Sequence, residues 1–264
     1  MTEVLAQLIE GQNLPLNWGI KPVLFTILGI NIPSYSFFVL LGLVVGIIVF
    51  YFETRKHKSI SENTFYIFIA GILGGILGAK IPAWIINYKS LISHFSLSLF
   101  LSGRTLVGGL IGGFIAIELT KKYLGIKERR GNLFAPAIAI GVAIGRIGCF
   151  LRGCCYGKPT SLPWGVNFGD GVLRHPTQIY ESIFMLGMFI YLQHRKSKNP
   201  YPGQLFKILM VSYFTFRFFI EFIRVEPVVF AGLTLYQWVS VFVIFYFIKA
   251  DIKSFINQKR LNKQ

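Results

Sequence analysis

The chain has 264 residues, 53% of them apolar and only 14% charged, and its formal net charge is +16. A water-soluble domain of this length carries more charge, so the composition sets aside an ordinary soluble fold and indicates an integral membrane protein. The basic residues stand in short breaks between apolar runs, as in cytoplasmic loops, and no RNA-binding signature accompanies them, so no nucleic-acid partner is expected.

Residues 1–32 read as an N-terminal segment on the outer face. Their first half carries Glu3 and Glu10, no Lys or Arg, and no cleavable apolar block, which is unlike a secretory signal. A bilayer core asks for about 20 mostly apolar residues per helix. Seven segments meet that requirement, roughly 33–53, 64–87, 100–120, 132–151, 176–194, 203–225 and 233–250. Basic clusters follow the first, third, fifth and seventh: Arg55 and Lys56, Lys121 to Arg130, Arg195 to Lys198, and the tail of residues 251–264. Every second connection is therefore cytoplasmic. The expected fold is an all-α, seven-helix transmembrane bundle over residues 33–250. Its N-terminus lies outside and its C-terminus in the cytoplasm.

Glycines four residues apart, Gly71/Gly75, Gly74/Gly78, Gly108/Gly112, Gly109/Gly113 and Gly141/Gly145, give small faces on which helices approach closely. Charges inside spans are costly and face the bundle interior or an aqueous cavity. Arg217, Glu221 and Arg224 in FRFFIEFIR are spaced by four and then three, so they share one helix face. An internal ion pair with Arg224 reaching to the interface is one reading of that face. Depth favours another. Arg146, Lys80, Arg104, Tyr35, Arg217 and Gln237 stand near the outer ends of six different spans, an agreement better explained by a cavity holding an anion. Arginine suits phosphate through its planar fork of donors, and a phosphate at that depth belongs to a phospholipid headgroup.

Cys149, Cys154 and Cys155 in GRIGCFLRGCCYG lack the spacing of paired zinc ligands, and no metal or other cofactor is expected from it. They read as small buried residues near the helix end, or as a reactive thiol beside Arg152. His175 in RHPTQIYE stands at the entrance of the fifth span, either as a proton-exchanging group or as a structural hydrogen-bonder. Trp164 suits an anchor at headgroup level.

Taken in order, VGGLIGG, GRIG with Cys149 and Phe150, Tyr156–Gly157, PWGV, RHPTQIYE, FRFFIEFIR and YQWVS resemble the blocks of the prolipoprotein diacylglyceryl transferase family. The resemblance implies a multi-pass enzyme of the bacterial inner membrane with two substrates, phosphatidylglycerol and the lipobox cysteine in the signal peptide of a preprolipoprotein. The diacylglyceryl group moves to the thiol and glycerol phosphate leaves. By position, Arg146 and Arg217 match the family's essential arginines, Glu221 and Arg224 the acid and arginine that follow, Gly157 a signature glycine, and Tyr35 the first-span tyrosine. The expected catalytic set is Arg146, Arg217, Glu221 and Tyr35. Arg224, Gly157, Gln237, His175 and Arg104 are expected at the substrate, with the loop 152–175 meeting the acceptor. Three positions depart from the pattern. Val107 stands where the family usually has His, Cys149 replaces an Asn, and a later acid falls at or near Cys154. Glu221, Tyr35 and His175 remain as replacement bases. A different acceptor, a non-catalytic phospholipid-binding protein and a small transporter remain as alternatives.

Overall fold

The computed structural model describes residues 20–56, 62–86, 88–93 and 105–261. Arg104 and the first part of the expected N-terminal segment lie outside the described residues. The chain divides into two units, residues 54–129 and the remainder.

In the smaller unit, α2 (Glu62–Ile86) packs along α4 (Leu106–Tyr123), with the short α3 (Tyr88–Ser93) between them in sequence. The glycines decide how close the two helices come. A Cβ at Gly78 would lie 2.5 Å from the Gly108 carbonyl oxygen, and one at Gly112 would lie 2.5 Å from that of Gly74. No side chain fits there, so backbone packs on backbone, as the spacing predicts. Thr105 starts α4 by accepting the Gly108 N–H on its hydroxyl at 3.3 Å. Val107 is buried in that first turn.

The larger unit begins with a hairpin, β1 (Val23–Ile27) paired antiparallel to β2 (Ile30–Pro33). Leu28 and Gly29, both at positive φ, form its two-residue turn, the geometry that matches strand twist. The hairpin runs directly into α1 (Ser34–Lys56) and is tied to the bundle where Lys21 N–H donates to the Leu151 carbonyl at 2.8 Å. Then come α5 (Gly131–Arg152), the pair β3 (Val166–Asn167) and β4 (Leu173–Arg174), α6 (Thr177–Lys196) and α7 (Gln204–Ile220). A 3-10 turn at Glu221–Ile223, the pair β5 (Val228–Phe230) and β6 (Leu233–Thr234), and α8 (Leu235–Leu261) complete the unit. Helix α5 is central, packing on α6 and α7, while α8 packs on α7. Gly42 of α1 meets Gly141 of α5 so closely that a Cβ would lie 2.5 Å from the Gly141 carbonyl. Gly145 joins the same contact through its backbone, its nitrogen 3.4 Å from the Cβ position of Gly42, although among the described residues nothing comes within 4 Å of a Cβ at Gly145 itself. At the far end Lys196 of α6 pairs with Glu53 of α1.

Two expectations need correction. The fold is mostly but not wholly helical, because among the described residues the connections form three two-stranded antiparallel sheets. Backbone outside a helix must still pair its polar groups, and short hairpins do so locally. The sixth helix also ends early. Its α-helical part stops at Ile220, the chain tightens through the 3-10 turn, and Arg224 is extended.

Helices α1, α2 and α5 are long and apolar enough to cross a membrane, over 22, 24 and 22 residues. Large apolar side chains such as Leu40, Phe52, Ile183, Ile190, Phe242 and Phe245 stand exposed on the helices. Such a surface needs lipid around it, and the chain is a membrane protein.

Candidate active site

One buried ionic cluster joins α5, α6, α7 and the 3-10 turn. Arg146, in the last two turns of α5, donates from Nη2 to Glu181 Oε1 of α6 at 2.8 Å. The same oxygen accepts the hydroxyl of Tyr213 on α7 at 3.0 Å. Four residues beyond Tyr213, Arg217 reaches Glu221 Oε2 at 2.8 Å and lies 3.9 Å from Glu181 Oε2. Arg224 is 3.7 Å from Glu221 Oε2 and pairs with Glu226 at 3.0 Å. Glu181 and Glu221 are 1% and 2% exposed, Arg217 and Arg224 3% and 6%. Arg217 also lies over the ring of Tyr236, 5.0 Å from its centroid.

Formal charge does not decide what this cluster wants, because Glu181, Glu221 and Glu226 balance Arg146, Arg217 and Arg224. The donors decide it. Three guanidiniums carry about fifteen N–H groups against about twelve acceptor sites on three carboxylates, two of which already take the Tyr213 and Thr234 hydroxyls. Among the described residues, Arg146 Nε, Arg217 Nε and Nη1, and Arg224 Nε are buried without a hydrogen-bond acceptor, against one carboxylate oxygen of the cluster, Glu221 Oε2, without a hydrogen-bond donor. A buried unsatisfied donor costs about 1–3 kcal/mol, more on a charged group. An anion with several oxygens is the chemical complement of such a set.

The first turn of α6 fixes the neighbouring loop. Gln178 Nε2 donates to the Cys154 carbonyl at 2.5 Å, and Thr177 Oγ1 to that of Cys155 at 2.7 Å. Arg224 Nη1 donates to the same Cys155 carbonyl at 2.9 Å. Gly153 and Cys155 both have positive φ, 73° and 66°. These turns bring the Sγ atoms of Cys149, Cys154 and Cys155 within 4.8 Å of one another, a convergence the spacing alone did not indicate. Hydrogen bonds from the Cys149 and Cys154 thiols hold the exposed Cys155 thiol below the usual thiol range, aided by the Arg146 and Arg224 charges. The Cys154 thiol, which donates to the Cys149 carbonyl at 3.6 Å, is pushed up.

Other expected site residues have different surroundings. Gly157 threads between the backbone at Arg224, with which it forms an isolated bridge, and that at His175. Its N–H donates to the His175 carbonyl at 2.9 Å, and a Cβ would lie 2.5 Å from the Ile223 carbonyl. It holds backbone in place and has no N–H left for a ligand. Gln237 accepts the Thr234 N–H at 2.9 Å while Thr234 Oγ1 accepts the Gln237 N–H at 3.3 Å, a reciprocal cap on α8. Its Nε2 donates to the Phe218 carbonyl at 3.3 Å, so its amide is engaged in structure. Thr234 in turn donates to Glu221 Oε1 at 3.1 Å. His175 Nδ1 lies 3.3 Å from the Tyr180 hydroxyl, which also accepts the Trp164 indole N–H at 2.8 Å. Tyr35 sits under Arg152, 5.2 Å from ring centroid to guanidinium.

Two residues of the cluster were missed from sequence, Glu181 and Tyr213. Glu181 ends the RHPTQIYE block inside the fifth span, and the rule that singled out Arg217 applies to it equally. Tyr213 had only its position one turn before Arg217 on the same face.

Set beside known proteins, residues 22–250 match the family described as prolipoprotein diacylglyceryl transferase. The chain belongs to that family. Among similar proteins is the phosphatidylglycerol–prolipoprotein diacylglyceryl transferase of Clostridium tetani, 36% identical over 217 residues, which are 78% of this chain and 86% of the relative. A second transferase of that name from Clostridium perfringens is 33% identical over 84% of this chain and 91% of its own length. The one from Finegoldia magna is 33% identical over 88% and 94%. In this family member Arg146 and Arg217 lie inside one buried ionic cluster.

Proposed function

We propose that this chain transfers the diacylglyceryl group of phosphatidylglycerol to the thiol of a lipobox cysteine in a prolipoprotein, at the Arg146–Arg217–Arg224 cluster. The names of its relatives supply the reaction. The observation that carries the assignment to this cluster is its set of buried arginine N–H groups without acceptors. In this reading α1, α2, α4, α5, α6, α7 and α8 are seven passages through a bacterial plasma membrane. The N-terminus is outside, and the cluster lies at headgroup depth in the outer leaflet.

The chemistry follows from charge. The acceptor sulfur attacks the glyceryl carbon, the C–S bond forms, and the C–O bond to phosphate breaks. The electron pair leaves on glycerol phosphate, which gains a negative charge as the thiol gives up its proton to water. Arginines already desolvated and held in place stabilise that developing charge without reorganising. Glu181 and Glu221 keep the guanidiniums in position. Loss of one such donor costs on the order of 10²–10³-fold in turnover.

The test uses the purified chain, phosphatidylglycerol vesicles and a lipobox peptide, with the peptide mass as readout. A gain of one diacylglyceryl group, lost in Arg146→Ala and Arg217→Ala, supports the reading; undiminished turnover in either variant removes the phosphate role. Val107, buried where the family pattern has His, favours a second reading of a phospholipid-binding protein without turnover. A silent protein that gains activity as Val107→His establishes it.

A further inference from the structure

We propose that Cys149, Cys154 and Cys155 form a three-thiolate site for a divalent metal ion of the zinc class, and that the open fourth position of this ion takes the acceptor thiol. The inference rests on the transfer reading above and names how the nucleophile is activated.

The geometry is that of a site. The three Sγ atoms lie within 4.8 Å of one another. Zinc–sulfur bonds of about 2.3 Å set tetrahedral sulfurs about 3.8 Å apart, so rotamer changes of about 1 Å close the set. Adjacent cysteines in extended chain point to opposite sides and chelate one ion poorly. Here the left-handed backbone at Gly153 and Cys155 turns both thiols of the pair toward Cys149. Cys155 is not glycine, and a non-glycine residue in that conformation costs roughly 1–3 kcal/mol. The surroundings hold it there through both carbonyls, Cys154 by Gln178 and Cys155 by Thr177 and Arg224. The loop is thus fixed by groups other than the thiols, which leaves all three sulfurs available.

Exposure is graded in the useful direction. Cys149 is buried, Cys154 half-buried and Cys155 exposed, so an ion on the three would be anchored inward and open outward. Three protein ligands with one open position is the pattern of catalytic rather than structural zinc. The electrostatics agree. Three thiolates on a divalent ion carry one net negative charge, and Arg146 Nη1 lies 3.9 Å from Cys149 Sγ.

The reaction supplies the need. The acceptor is a thiol, and the thiolate is the nucleophile. Both fully buried carboxylates of the cluster are engaged in positioning it, Glu181 by Arg146 and the Tyr213 hydroxyl, Glu221 by Arg217 and the Thr234 hydroxyl. A thiol that coordinates the ion is deprotonated outright, and its proton passes to water. The metal-bound sulfur then attacks the glyceryl carbon and the electron pair of the broken C–O bond leaves on glycerol phosphate. The thioether product, a weaker ligand than a thiolate, dissociates. No oxidant or reductant enters.

The experiment uses the full chain in lipid nanodiscs, reduced, stripped with chelator and titrated with cobalt(II) as the spectroscopic substitute for zinc. Expected is one cobalt per chain, with thiolate-to-cobalt charge-transfer absorption, tetrahedral ligand-field bands, and displacement by zinc. Cys149→Ser, Cys154→Ser and Cys155→Ser each weaken binding by at least the roughly 10–100-fold that an outer-shell partner contributes. A cysteine acceptor peptide raises the charge-transfer absorption and its serine analogue does not. Absence of thiolate–cobalt bands, bands indifferent to the three serine variants, or a disulfide pair that binds no metal after reduction overturns the site. Bands that ignore the cysteine peptide overturn the open position. Full-rate transfer by chelator-treated protein overturns the metal's role and leaves the transfer reading standing. A peptide response without transfer from phosphatidylglycerol supports the site and overturns that reading instead.

Discussion

Glu181 and Arg146 form a salt bridge at 2.8 Å that ties α6 to the end of α5, with the carboxylate 1% exposed. Because Glu181 also accepts the Tyr213 hydroxyl and lies near Arg217, one carboxylate organises three helices. Removing one partner of a buried pair leaves an uncompensated charge and costs about 3–5 kcal/mol. Glu181→Ala is therefore expected to melt well below the parent protein in the same detergent. Arg146→Ala/Glu181→Ala is expected to recover part of that loss, a coupling of about 0.5–3 kcal/mol. A double variant no more stable than Glu181→Ala alone argues against the coupling.

Gly157 is the point where the signature loop passes between the Arg224 and His175 segments. A Cβ at this position would lie 2.5 Å from the Ile223 carbonyl and 2.8 and 2.9 Å from the His175 and Thr177 side chains, so Gly157→Ala must push backbone apart. Overpacking of this kind costs typically 1–3 kcal/mol. The variant is expected to lose thermal stability and to free the loop for proteolysis near Lys158. Unchanged melting and unchanged cleavage contradict this.

Much of this architecture was legible because membrane physics writes it into composition. Apolar length located the helices, and four-residue glycine spacing marked faces for close approach, though not that Gly78 of α2 would meet Gly112 of α4. The charges at Arg217, Glu221 and Arg224 announced the cluster because a charge in a span needs a reason. What stayed hidden depends on tertiary proximity. Glu181 carries the same signal but lies a helix away from its partners. Gln237 looked like a ligand because capping requires knowing where α8 begins. The cysteines looked ill-spaced because spacing does not report two left-handed residues within one turn of chain.

The thiols differ in acidity in a way that pH resolves. Hydrogen bonds from Cys149 and Cys154 hold Cys155 low, while Cys154 is raised. A depressed thiol remains thiolate as the pH falls below the ordinary value of about 8.5, whereas a raised one is protonated well above it. In metal-free, reduced protein, iodoacetamide is expected to label Cys155 first at neutral pH, with its rate falling only slowly on acidification. Peptide mapping after short pulses at several pH values reads this directly. Equal rates for Cys154 and Cys155, both falling below the ordinary thiol pKa, contradict the hydrogen-bonded arrangement.

Gln237 and Thr234 cap α8 reciprocally, and Thr234 passes the order on to Glu221 through a bond of 3.1 Å. The distinction between a cap and a substrate ligand is measurable, since the two roles fail differently. Loss of a cap lowers stability by about 1 kcal/mol, whereas loss of a headgroup contact raises KM for the phospholipid. Gln237→Ala is expected to lower the melting temperature, and Thr234→Val to lower it further because the Glu221 bond goes too. Both would then act on turnover through the position of Glu221 and so through kcat. A rise in KM for phosphatidylglycerol with unchanged melting in Gln237→Ala returns that side chain to the headgroup site.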